Sequence, residues 1–221
     1  MVAGRLAVAL LLATACQGHI GRAGDDDDDD APLDPDAPPA GDDASGPGDD
    51  ASAPGPDGGG GGSPDAPAAG EPPGLEGTLA EHNRIRADVG VGPMTWDPQL
   101  AAIAAAWIAQ CRDQDAPIGL IDHNPNRSQG YPTYVGENVY GSSGTATGVA
   151  ATRSWEGEKA NYDAATNTCA AGRVCGHYTQ IVWRNSTKLG CAIGDCPGLT
   201  YRSSVVCNYG PGGNISGQRP Y

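Results

Sequence analysis

Six cysteines in the C-terminal two thirds of this 221-residue chain place the strongest constraint on its fold. They are Cys111, Cys169, Cys175, Cys191, Cys196 and Cys207. An even number of cysteines in a small exported domain is typical of a disulfide framework. Zinc binding through cysteine pairs is the alternative. No C-x-x-C pair occurs, however, since the shortest spacings are five and six residues. We therefore expect a domain that disulfides stabilise.

A seventh cysteine, Cys16, follows an N-terminal segment with the features of a signal peptide. Arg5 supplies a positive charge, and the apolar run at 6–13 is too short to anchor the chain in a bilayer. Ala13, Thr14 and Ala15 satisfy the rule for signal cleavage and also resemble a bacterial lipobox. We predict a signal peptide over 1–15 and acylation of Cys16, as in a bacterial outer-membrane lipoprotein. Simple secretion with a free Cys16 thiol is the alternative.

The segment that follows the signal peptide has the composition of a disordered linker. Residues 24–74 contain 14 Asp, 12 Gly and 11 Pro, with no aromatic and no β-branched residue. Such a segment buries too little apolar surface to offset the entropy of ordering its backbone. We predict that residues 16–74 comprise the lipid-anchor site and an acidic, Pro/Gly-rich linker, and that residues 75–221 form one folded domain.

The acidity of the chain belongs to this linker. The whole chain carries a formal net charge of −14, whereas residues 75–221 carry 11 Lys+Arg against 12 Asp+Glu. A strongly basic nucleic-acid-binding face is therefore excluded for the folded part. We expect a monomer at the cell surface or outside the cell, with no nucleic-acid partner.

Hydrophobic periodicity predicts helices first and strands last. Helices are predicted over residues 75–89, 98–111 and 146–159, and strands over residues 178–184, 189–193 and 201–208. Residues 112–136 are polar and rich in turn formers, which predicts a long loop. Asp97 and Pro98 form a typical helix start. The order predicts an α+β domain, an α-β-α sandwich whose helices pack on a central antiparallel sheet.

Short motifs then identify a family resemblance. The octapeptide GHYTQIVW at 176–183 and the segment CNYGPGGN at 207–214 match the two signatures of the CAP superfamily, which includes cysteine-rich secretory proteins, antigen-five allergens and plant pathogenesis-related proteins. The second signature extends a few residues before this segment. Its only departure is Ser204, where the signature has an apolar or aromatic residue. The resemblance covers residues 75–221 and is strongest to the plant members.

The resemblance implies a tetrad of two histidines and two glutamates in a central cleft. Carried over onto this sequence, it comprises His177 from GHYTQ, Glu137 from GEN, Glu158 from W-x-x-E, and His123. His82, on the predicted first helix, is the alternative to His123. The resemblance also implies the disulfides Cys111–Cys196, Cys169–Cys175 and Cys191–Cys207, whereas six cysteines alone allow fifteen pairings.

The chemistry of the tetrad leaves two interpretations open. Histidine and glutamate together suit Zn²⁺ or another divalent cation, with the carboxylates binding the ion, holding its water or orienting the imidazoles. Alternatively, His123 and His177 donate to Glu137 and Glu158 in a buried polar network that holds no metal.

Three classes of function follow from the resemblance. We expect a non-enzymatic module that binds a lipid, a sterol-like molecule or a protein. A metal-dependent hydrolase, with Glu137 or Glu158 as general base, is the alternative. A purely structural surface module is the third class. No activated serine or cysteine nucleophile is evident, so binding is favoured over catalysis.

Overall fold

The computed structural model describes residues 70–116 and 118–221. The helices are α1 (Thr78–Asp88), α2 (Pro98–Ile108), α3 (Gly148–Gly157) and α4 (Gly176–Ile181), and a 3₁₀ turn, Glu158–Asn161, follows α3. The strands are β1 (Thr95–Trp96), β2 (Gly136–Ser142), β3 (Tyr162–Asp163), β4 (Thr168–Cys169), β5 (Lys188–Asp195) and β6 (Ser203–Gly210).

Four of these strands form one sheet, and β3 and β4 form a separate hairpin. The sheet has the order β1-β5-β6-β2. The pairs β5–β6 and β2–β6 are antiparallel, whereas β1 runs parallel to β5. The predicted α+β class and layered architecture are thus confirmed, with the correction that the sheet is mixed rather than wholly antiparallel.

Alternating side chains of the central strand divide the core into two halves. Val205, Cys207 and Tyr209 of β6 pack with α1, α3 and α4 on one face of the sheet. Val206 packs with α2 on the other face. This is the two-residue period of a strand buried on both sides, which explains why β6 has an almost continuous run of buried residues.

An acidic side chain accepts hydrogen bonds from the first backbone N–H groups of each of the first two helices. Asp97 accepts hydrogen bonds from the backbone N–H groups of Gln99 and Leu100 at 2.9 and 3.0 Å, which confirms the predicted start of α2. Glu71, in the segment predicted to be linker, accepts from Gly77 and Leu79 at the start of α1. The contacts of the folded domain therefore extend a few residues before position 75.

The prediction of a strand over 178–184 is wrong, because Gly176–Ile181 forms α4. Aromatic and β-branched residues favour strands, but Tyr178, Ile181 and Val182 are spaced three and four residues apart and all enter the same core half. The carboxylate of Glu158 also accepts from the Tyr178 N–H at 3.1 Å, within the first turn. Tertiary packing outweighs local propensity here.

Strand β2 was not predicted, because Gly136–Ser142 is a glycine-containing, largely polar segment. It forms by pairing along its entire length with β6, from Gly136↔Tyr209 to Ser142↔Ser203. These partners are more than sixty residues apart in the chain. The strand is thus specified by long-range pairing rather than by local preference.

Three disulfides join the elements. They are Cys111–Cys196, Cys169–Cys175 and Cys191–Cys207, the pairs that the family resemblance implied. The first ties the end of α2 to the end of β5, the second encloses the turn before α4, and the third links β5 and β6 at directly opposite positions. The first spans 85 residues and is expected to restrict the unfolded chain most.

The predicted signal peptide, the acylation of Cys16 and nearly all of the linker lie outside the described residues. In the part of the chain that the structure describes, no helix has both the length and the apolar character needed to cross a membrane.

Candidate functional site

The structure brings His123 and Glu137 into direct contact. The Nδ1 atom of His123 lies 2.8 Å from Oε1 of Glu137, and the same oxygen accepts from the backbone N–H of Asn124 at 2.8 Å. The Glu137 side chain is fully buried, whereas His123 keeps 16% exposure. The second carboxylate oxygen, Oε2, is buried and has no hydrogen-bond partner among the described residues.

The loop before His123 is held by the carboxylate of Asp122. Its two oxygens accept from the backbone N–H groups of Gln114 and Asp115 at 2.8 and 3.1 Å. The Asp122 carbonyl accepts from the indole N–H of Trp107 on α2 at 2.6 Å. A helix side chain thus fixes the backbone next to His123, although this histidine lies in the long predicted loop.

A second pair joins His177 and Glu158. The Nδ1 atom of His177, in the first turn of α4, lies 2.5 Å from Oε1 of Glu158, and Oε2 accepts from the Tyr178 N–H. The His177 ring also stacks on Trp155 of α3, with 6.0 Å between centroids and an interplanar angle of 19°. Its orientation is therefore set by a carboxylate on one edge and an indole on one face.

Strand β2 connects the two pairs through a residue whose role the sequence did not indicate. Glu137 lies on β2, and the next residue, Asn138, donates to the His177 carbonyl at 3.1 Å. The Asn138 amide also donates to the hydroxyl of Tyr209 at 3.0 Å. The only signal for Asn138 was its place beside Glu137 in the GEN motif.

His82, the alternative to His123, is a buried core histidine. Its Nδ1 donates to the Thr78 carbonyl at 2.8 Å, and its Nε2 accepts from the Tyr209 hydroxyl at 2.9 Å. Both ring nitrogens are therefore occupied, and the residue is fully buried. Burial lowers the pKa of His82 to about 4, so that the ring is neutral at pH 7.

This depressed pKa predicts a loss of stability on acidification. An unfolded chain protonates His82 near pH 6.5, whereas the folded chain does so near pH 4. The stabilising contribution of His82 is thus present above pH 6.5 and is lost as the pH falls toward 4. We expect wild type to lose about 2 kcal/mol more unfolding free energy between pH 7.5 and pH 5 than His82→Gln.

Urea denaturation at the two pH values measures this difference with the disulfides intact. The other titrating groups contribute to both proteins, so the difference in slope isolates His82. Equal pH dependence in the two proteins would show that His82 is not held neutral by the fold.

The two pairs match the way in which proteins orient metal-binding imidazoles. A histidine ligand commonly donates its second ring nitrogen to a carboxylate, which fixes its tautomer. His123 and His177 both present Nδ1 to a glutamate, so Nε2 is the nitrogen directed away from that bond. Within residues 70–116 and 118–221, however, no group of three or more His, Cys, Asp or Glu side chains is arranged to hold a metal ion.

Comparison with known proteins identifies the family. The sequence profile of the cysteine-rich secretory protein family, CAP, matches residues 79–209. The chain belongs to this family. Pathogenesis-related protein 1B of Nicotiana tabacum is 46% identical over 144 residues, which cover 65% of this chain and 78% of the tobacco protein.

Solved structures agree with this assignment of the CAP fold. The venom allergen-like protein 4 of Schistosoma mansoni has a TM-score of 0.54 and 26% identity, covering 68% of this chain and 94% of its own. The crystal structure of NaASP2 with Zn²⁺ has a TM-score of 0.53 and 27% identity, covering 71% of this chain and 89% of its own. The CAP signature at 176–183 includes both His177 and the turns of α4 that place it.

Proposed function

We propose that this CAP protein is a non-enzymatic binding module that acts outside the cell as a monomer. Its partner would be a lipid, a sterol-like molecule or another protein, as the family resemblance implies. Three disulfides support an oxidising, extracellular location. Anchoring through acylated Cys16 stays a prediction from the sequence.

The observation that carries the proposal is that both candidate general bases, Glu137 and Glu158, already accept hydrogen bonds from an imidazole and a backbone N–H. Glu158 accepts from His177 with one oxygen and from the Tyr178 N–H with the other. Glu137 is fully buried, with one oxygen shared by His123 and the Asn124 N–H. Carboxylates held in this way orient imidazoles, whereas a general base must reach a proton on a substrate or on water. The six cysteines of the folded domain are all in disulfides and provide no nucleophile.

We further propose that His123 and His177 hold a divalent cation weakly through Nε2. When bound, such an ion supplies a Lewis-acidic centre and fixes the cleft. Glu137 and Glu158 favour the imidazole tautomer that carries its proton on Nδ1, which is the tautomer that coordinates a metal through Nε2. The protein would supply two imidazole ligands. Water or the bound partner would complete the coordination of the ion, which favours a weak site. The Zn²⁺ in the structure of NaASP2 supports this choice of ion for the fold.

Calorimetric titration of the full chain with Zn²⁺ tests the site. We expect His123→Ala and His177→Ala each to weaken binding by at least about tenfold, since each removes a ligand. Glu158→Gln is expected to weaken it by about tenfold, since it removes the orienting carboxylate. His19→Ala, which changes the remaining histidine outside the folded domain, is the matched control and should bind like wild type.

Two results would contradict this proposal. Unchanged Zn²⁺ binding in both His→Ala variants would exclude these residues as ligands. Peptide or ester hydrolysis by the zinc-loaded protein that disappears in the double His→Ala variant would favour the hydrolase instead.

A further inference from the structure

A cavity of about 300 Å³ lies beside α4, between the C-terminal segment and the turn that precedes the helix. Its lining residues include Arg173, Thr179, Trp183, Ile215 and Ser216. Neither histidine–glutamate pair contributes a lining residue. The cavity is therefore a separate feature from the candidate cleft.

Trp183, one of the residues that line this cavity, carries a buried hydrogen-bond donor that nothing in the described chain satisfies. Trp183 is only 2% exposed. Its indole N–H has no hydrogen-bond partner. Leaving such a donor unpaired costs about 1–3 kcal/mol, and buried indole N–H groups normally find an acceptor. An acceptor atom brought in by a ligand would recover part of this cost.

The charge of the cavity is positive. Arg173 is the one charged residue among those lining it, and no Asp or Glu is among them. Its side chain is exposed and has no hydrogen bond or ion pair in the described structure. Two other exposed arginines are engaged: Arg202 pairs with Asp195, and Arg219 donates to two backbone carbonyls. An unpaired guanidinium presents a planar fork of donors that matches a carboxylate or a phosphate.

Apolar surface accompanies these donors. Ile215 at the rim is 43% exposed, although a side chain of this kind is usually buried. Pro220 and the Trp183 ring also line the cavity. A ligand that combines a negative head with an apolar body of about one ring would satisfy the charge, the unpaired donor and the apolar wall together.

We propose that this cavity binds a small organic anion. Its carboxylate or phosphate meets the guanidinium of Arg173, an acceptor atom receives the indole N–H of Trp183, and its apolar body packs on Ile215. This site is independent of the histidine–glutamate cleft, so the loss of zinc binding leaves it intact.

Titration of the ¹⁵N-labelled full chain with benzoate and with phenyl phosphate tests the proposal by NMR. We expect dissociation constants of about 1 mM, in keeping with so few ligand atoms. The indole N–H signal of Trp183 should shift, whereas those of the other three tryptophans should not. Benzamide, which has the shape of benzoate without its charge, should bind at least about tenfold more weakly. The tighter of the two anions identifies the source as a carboxylic acid or a phosphate monoester.

Two variants test whether anion binding requires Arg173 itself or only an exposed positive charge. Arg173→Gln should raise the dissociation constant about tenfold, because it removes one charge-assisted hydrogen bond. Arg184→Gln, at another exposed arginine that does not line the cavity, should leave it unchanged. The proposal is overturned if neither anion shifts the Trp183 signal, if benzamide binds as tightly as benzoate, or if Arg173→Gln binds like wild type. It is also overturned if inorganic phosphate alone binds as tightly as phenyl phosphate, since the apolar wall would then contribute nothing.

Discussion

Replacement of Arg86 by methionine is expected to lower the free energy of unfolding by about 4 kcal/mol. Arg86 is 1% exposed. Its guanidinium donates to four backbone carbonyls, those of Gly92, Ile181, Trp183 and Ser186, at 2.7–2.9 Å. Methionine fills a similar volume but donates nothing, so each carbonyl loses a buried donor. Urea denaturation with the disulfides intact measures the change.

The physical role of Arg86 is to join α1 to the segment that follows α4. Three of its four carbonyl partners lie in residues 181–186, about a hundred positions along the chain. Burial lowers the pKa of Arg86 to about 10, which still leaves it charged at neutral pH. The backbone carbonyls, rather than a carboxylate, therefore stabilise a buried positive charge.

Arg84→Met is the matched control for this prediction. Arg84 lies two residues earlier on the same helix, is 46% exposed and pairs with Glu81, Asp88 and Glu156. Exposed ion pairs contribute little, so its replacement should cost less than about 1 kcal/mol. Equal losses at positions 84 and 86 would contradict the proposed role of the buried guanidinium.

Replacement of Gly190 by alanine is expected to cost about 3 kcal/mol, because the new methyl group would meet backbone atoms. A Cβ atom at this position would lie 2.3 Å from the Ala101 nitrogen and 2.4 Å from the Asp97 carbonyl oxygen. These atoms belong to the first turn of α2, where the Ala101 N–H donates to that carbonyl at 3.1 Å. Neither atom can move unless the helix shifts away from β5.

Gly198→Ala provides the control for the Gly190 substitution. Its Cβ would meet nothing within 4 Å, so this change should alter the unfolding free energy by less than about 0.5 kcal/mol. Thermal or urea unfolding of the two variants gives the comparison. A loss below about 1 kcal/mol in Gly190→Ala would show that α2 is not held against β5 at this distance.

Much of the architecture could be predicted from local sequence patterns. The Asp97-Pro98 start of α2 and the strands β5 and β6 lie where periodicity and capping placed them. Strand β2 and helix α4 could not be predicted in this way. The first has poor strand formers and depends on β6, and the second has good strand formers but packs as a helix.

The candidate site shows the same division. The family resemblance implied His123, His177, Glu137 and Glu158, but their partners depend on the fold. His123 meets Glu137 across 14 residues and His177 meets Glu158 across 19, in both cases through Nδ1. The sequence left His82 open as an alternative, and only its burial against Thr78 and Tyr209 assigns it to the core.

The sequence by itself determined the number of cysteines, the start of α2 and the family to which the chain belongs. These properties depend on residue identity and on neighbours a few positions away, which capping and hydrophobic periodicity record directly. The tertiary structure decided that β1 runs parallel to β5, that four carbonyls surround Arg86, and that Trp183 and Arg173 line one cavity. Each of these features requires contacts between residues that are far apart in the chain. Such contacts depend on the packing of the whole core rather than on local conformational preference.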